Sequence, residues 1–95
     1  MTTLNPETFK TEVVEAEGTV FVLFGGFDPE TARIQALLRE AGVTWKFCDV
    51  DSSDGAQVAM RAGVRQSPVV YRFSNGFVSA SYDPPGILTS GVFLG

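Results

Sequence analysis

The sequence predicts an α/β fold in a single domain, with elements in the order α-β-α-β-α-β-β. Three observations predict it. Thr19 to Phe24 is a continuous apolar run, the pattern of a strand buried on both faces of a sheet. Asn5-Pro6-Glu7 and Asp28-Pro29-Glu30 each place a capping side chain before a proline and an acid, which is how helices start. Asn75-Gly76 lies between two apolar runs, Val69 to Phe73 and Phe77 to Tyr82, and so marks a two-residue hairpin. The first two strands need a crossover helix and are expected to be parallel. The last two form the antiparallel hairpin.

The first helix is capped by Asn5 and has Phe9, Val13, Val14 and Ala16 on one apolar face, with Gly18 stopping it. The first strand, Thr19 to Phe24, turns through Gly25-Gly26. Asp28 caps the second helix, where Ile34, Leu37, Leu38 and Ala41 follow at helical spacing until Gly42. Val43 to Val50 reads as the second strand, with Trp45, Phe47 and Val50 as apolar members. Asp51-Ser52-Ser53-Asp54 is a polar turn and cap. Ala56, Val58, Ala59, Met60 and Ala62 make a third helix closed by Gly63. After the hairpin, Asp83-Pro84-Pro85-Gly86 breaks the chain, and Ile87 to Gly95 is apolar without helical caps. The expected division is residues 1–82 as the domain and 83–95 as an extended tail.

With 95 residues and a 44% apolar fraction, the chain has a globular composition and a thin core. A net charge of −4 without a basic stripe gives no support to nucleic-acid binding. One cysteine excludes an internal disulfide and a multi-cysteine zinc site. The absence of histidine removes the commonest general base and metal ligand. No cofactor or metal is expected. The first ten residues are polar and the first apolar run is too short to span a membrane, so neither a signal peptide nor a membrane contact is expected. The expected compartment is the cytoplasm, or a virion if the protein is viral.

Gly63-Val64-Arg65-Gln66-Ser67-Pro68, followed by a strand and an Asn-Gly turn, resembles the second half of thioredoxins. Leu4 to Phe9 resembles the start of their first helix, Gly18 to Phe24 their central strand, and Cys48-Asp49-Val50-Asp51 a later strand end. The resemblance runs from about Leu4 to Ala80. It implies a thioredoxin-like fold: a four-stranded mixed sheet with helices on both faces. It also implies a cis bond between Ser67 and Pro68, beside which family members pair with an extended client peptide. The departures are chemical. Asp28 and Thr31 fall about where the family's two cysteines sit, Leu23 replaces a buried aspartate, and the final helix is missing.

Thiol–disulfide exchange needs a thiolate of lowered pKa at a helix N-terminus and a resolving thiol nearby. The helix start survives in Asp28-Pro29-Glu30, but a carboxylate cannot attack a disulfide. Cys48 is either a monothiol nucleophile or a buried strand residue, and its distance from the helix start favours the second reading. Asp49, Asp51 and Asp54 lack the glycine and closing glutamate of a calcium loop. Gly25-Gly26 fits no phosphate-loop pattern, and the acids after it would repel an anion. The Ser67-Pro68 segment either presents a client groove or merely shapes the loop leading into the strand.

The expectation is a non-catalytic protein-interaction or structural module in a larger assembly, of which a virus or phage particle is one kind. Its partners are other protein chains. The candidate contact residues are Phe27, Asp28, Ser67 and Pro68, together with Ile87, Leu88, Val92, Phe93 and Leu94 of the tail. These tail residues are expected to bury against either this sheet or, slightly favoured, a neighbouring chain. The alternatives are a monothiol oxidoreductase using Cys48 and a regulatory subunit that binds one client through the cis-proline groove.

Overall fold

The computed structural model describes residues 3–95. Asn5 starts the first helix through a reciprocal cap: its Oδ1 accepts from the Thr8 amide at 2.8 Å, and Thr8 Oγ1 accepts from the Asn5 amide at 2.9 Å. Helix α1, Pro6–Phe9, continues as a π-helical turn, Lys10–Val14. Strand β1 is Thr19–Gly25, α2 is Pro29–Ala41, β2 is Trp45–Asp49 and α3 is Ser53–Ala62. Strands β3, Val69–Ser74, and β4, Phe77–Tyr82, form the hairpin. Its turn needs positive φ at both positions, which Asn75 (50°) and Gly76 (87°) adopt.

The four strands form one mixed sheet in the order β2-β1-β3-β4. β1 runs parallel to β2 and antiparallel to β3. Because side chains alternate along a strand, β1 feeds two cores. Val20, Val22 and Phe24 pack with Phe9, Val13, Cys48, Val58, Ala59 and Phe73, which places α1 and α3 on that face. Phe21 and Leu23 pack with Ile34 and Leu38 of α2, and with Phe47 and Val70, on the other. Helices therefore cover both faces. The position of Leu23 is wholly apolar and fully buried.

Three expectations need correction. Val14 and Met60 point to solvent, since their helices bury only the neighbouring stripes at Val13 and at Val58 and Ala59. The second strand is shorter than Val43 to Val50, because Val43 and Thr44 precede its pairing with β1 and Val50 already turns toward α3. The largest correction is the tail. It is not extended: Pro84–Gly86 and Ser90–Phe93 are 3₁₀ turns, and the segment folds back onto its own sheet as a strap.

Ile87 and Phe93 enter the α2-side core. The Phe93 ring meets Phe21 at 5.5 Å and Tyr82 at 5.4 Å, both edge-on. Arg33 of α2 donates to the Ile87 carbonyl at 2.5 Å and the Pro84 carbonyl at 3.3 Å, while the Glu30 carboxylate holds its guanidinium. The physical reason is twofold. The φ that proline imposes suits a 3₁₀ turn as well as an extended chain. The apolar face around Phe21 and Val70 needs a cover, and the strap supplies one without a neighbour.

Candidate functional site

The register of the sheet brings three loops together. Phe24 pairs with Val69 and Gly25 with Asp49, so Gly26-Phe27-Asp28, Val50-Asp51 and Ser67-Pro68 leave or join the same end of the sheet. The Val50 amide donates to the Gly25 carbonyl at 3.1 Å and ties two of these loops together. The Ser67–Pro68 peptide bond is cis.

At this end, α2 begins with Asp28. One carboxylate oxygen accepts from the Thr31 amide at 2.8 Å and the other from the Thr31 hydroxyl at 3.1 Å. Its negative charge also sits against the positive end of the helix dipole. Thr31 is buried and packs against Gly25, where an added Cβ would lie 2.6 Å from its hydroxyl. The Asp51 carboxylate lies against Gly26 in the same way, 2.5 Å from the position of an added Cβ.

Phe27 stands out of this frame. It is 83% exposed, with its ring centroid 6.1 Å from that of Phe47. A hollow of about 310 Å³ beside it is lined by Gly26, Asp28, Pro29 and Ala32. A second hollow of about 220 Å³ lies beside Ser67, lined by Val50, Ala59, Val64, Arg65 and Gln66. The sheet end therefore offers an exposed aromatic ring and two shallow hollows. Its acids serve as a cap and as packing against glycine. Among the described residues, no group of three or more His, Cys, Asp or Glu side chains is placed to hold a metal ion.

Cys48 is fully buried, and its Sγ donates to the Gly55 carbonyl at 3.2 Å. Burial, with a smaller contribution from the negative charge of Asp49, pushes its thiol from 9.0 up to about 12. In the folded protein the thiol keeps its proton above the pH at which the unfolded chain loses it. Its contribution to stability is therefore complete below pH 9 and is lost as the pH rises toward 12. The expected loss is on the order of 1 kcal/mol per pH unit in that window. Denaturation of wild type and Cys48→Ala between these pH values checks it, since the other alkaline groups cancel in the difference.

The tail residues divide. Ile87 and Phe93 are spent on the core and Val92 is half-buried, whereas Leu88 and Leu94 are 75% and 65% exposed. A cleft of about 430 Å³ lies elsewhere, between α1 and β2. Its polar groups serve each other: Asn5 and Thr8 form the cap, and Lys46 pairs with Glu12 at 3.1 Å. Sequence reasoning missed two features. One is Arg33, whose only sequence signal is a Glu30 three residues earlier. The other is Gly55, a glycine in the first turn of a helix, where it weakens the helix unless something approaches closely.

No family model matches the chain, and no curated protein matches it. No helix among the described residues is long and apolar enough to cross a membrane.

Proposed function

We propose that this chain is a redox-inactive, thioredoxin-like protein-interaction module of a larger assembly, which meets a protein partner at the sheet end bearing Phe27 and the Ser67–Pro68 bond. The observation that carries the reading is the occupant of the α2 N-terminus. Both oxygens of the Asp28 carboxylate are engaged in capping, in the place where exchange chemistry needs a thiolate. Beside it, Phe27 is left in solvent, and exposed aromatic rings are the usual anchors of protein interfaces.

The strand order, the mixed sheet with helices on both faces, and the placement of Pro68 at the same sheet end as the start of α2 support the thioredoxin resemblance. A partner would place an apolar side chain against Phe27 and backbone against the Ser67 segment. A virus or phage particle is one assembly in which such a module would serve.

Insulin reduction by dithiothreitol tests the redox half of the reading. The expected rate with this protein is the uncatalysed rate. An acceleration that disappears in Cys48→Ser would overturn the proposal in favour of a monothiol oxidoreductase.

A further inference from the structure

We propose that the strap, residues 83–95, is exchangeable between two copies of the chain, so that the seat on one copy can receive the strap of another. The inference goes beyond the proposed function and does not depend on it. Three observations carry it.

The first is how the strap holds its shape. Its backbone bonds are local: Gly86 to the Asp83 carbonyl, Ile87 to Pro84, Val92 to Thr89 and Leu94 to Gly91. What joins it to the sheet is side chains, with Ile87 and Phe93 among Phe21, Leu23 and Val70. Arg33 adds its bonds to the Pro84 and Ile87 carbonyls. Beyond the turn at Pro84–Gly86, the strap therefore brings its own turn at Ser90–Phe93, and no strand register has to be rebuilt when it docks. Residues 87–95 of a second copy fill the same seat with the same Ile87 and Phe93 packing and the same Arg33 bond to the Ile87 carbonyl, and the exchange closes as a symmetric pair.

The second is the hinge. Within the strap, Asp83-Pro84-Pro85-Gly86 connects β4 to residues 87–95, and the proline φ is equally at home in an extended chain. With this turn opened, the chain continues along β4 and away from its own seat.

The third is the surface that a second copy would approach. β4 is one of the two edge strands of the sheet, carries no charged residue, and exposes Phe77 and Val78. Two copies meeting edge to edge bring no charged β4 side chains together there, although each carries a net charge of −4. That neutrality favours a second copy over a basic partner, for which this edge has no counter-charge.

The test uses full chains, one isotope-labelled and one unlabelled, mixed and warmed toward the unfolding transition at millimolar concentration. The expected result is a slowly formed dimer with contacts between the Phe93 ring of one copy and Phe21 of the other. Deletion of Pro84 and Pro85 shortens the hinge so that the strap cannot reach its own seat. That variant is expected to move from a negligible to a majority dimer fraction, and Phe93→Ser in the same background to return it to monomer. A folded, monomeric hinge-deleted chain overturns the proposal, as does a dimer with Phe93–Phe21 contacts only within each chain. If the deletion prevents folding, the wild-type mixture decides: inter-chain contacts support exchange, and a monomer at millimolar concentration overturns it.

Discussion

Gly55→Ala is expected to destabilise the fold by about 3 kcal/mol or more, the sum of an overpacked contact and a disturbed cap. Gly55 lies in the first turn of α3, over the end of β2. Its amide donates to the Ser52 hydroxyl at 2.9 Å, and its carbonyl accepts from Cys48. A Cβ there would overlap the Asp49 carbonyl oxygen and lie 2.6 Å from the carbonyl carbon. The obstacle is backbone, so no side-chain rotation relieves it. The same Asp49 carbonyl accepts from the Ser52 hydroxyl at 2.8 Å and its amide at 3.2 Å. Lifting α3 away would break these bonds and the cap together. Helix propensity alone predicts the opposite sign, since alanine is favoured over glycine by about 1 kcal/mol within a helix. Denaturant unfolding of the variant distinguishes the two, and a neutral or stabilising result would show that α3 is not seated as described.

Ile87→Ala is expected to cost about 2–5 kcal/mol, the range for truncating a fully buried aliphatic side chain. Ile87 is one of two side chains that fix the strap in the core, and its carbonyl is one of the two that Arg33 holds. Its loss should loosen the strap before the sheet, exposing Phe21, Val70 and Tyr82. An apolar dye should then bind under conditions where wild type excludes it. Leu88→Ala is the control: the side chain is exposed, so its stability should stay within about 0.5 kcal/mol of wild type. Equal effects for the two variants would contradict the described seat.

What the sequence discloses about this fold follows the range of the interactions. Asn5, Asp28 and Ser52 cap helices by bonding an amide three residues away, so each helix start is legible from a few adjacent letters. Asn75-Gly76 is local in the same sense. The two-faced core is legible as well, because the apolar run of β1 leaves neither of its faces free for water.

The strap is not legible in this way. Prolines permit both an extended and a turned chain, and the choice falls to a seat built from β1, α2, β3 and β4 together. The candidate site shows the same division. Phe27 and Asp28 are readable because they directly follow the central strand. That they share an end of the molecule with Ser67 depends on the pairing of Phe24 with Val69, residues separated by nearly half of the chain. Asp28 is legible as a cap, but the engagement of its second oxygen by the Thr31 hydroxyl requires the structure.

Binding of a protein partner at the sheet end around Phe27 is a proposal open to direct test. Quantitative co-purification from cells that naturally express the chain tests it most directly, comparing wild type with Phe27→Ser and Met60→Ser. Phe27 and Met60 are both exposed, so neither change should disturb the fold, but only Phe27 belongs to the proposed surface. The expected result is a protein that is retained in fixed ratio by wild type and by Met60→Ser and lost with Phe27→Ser. Retention by all three forms in the same ratio would contradict it.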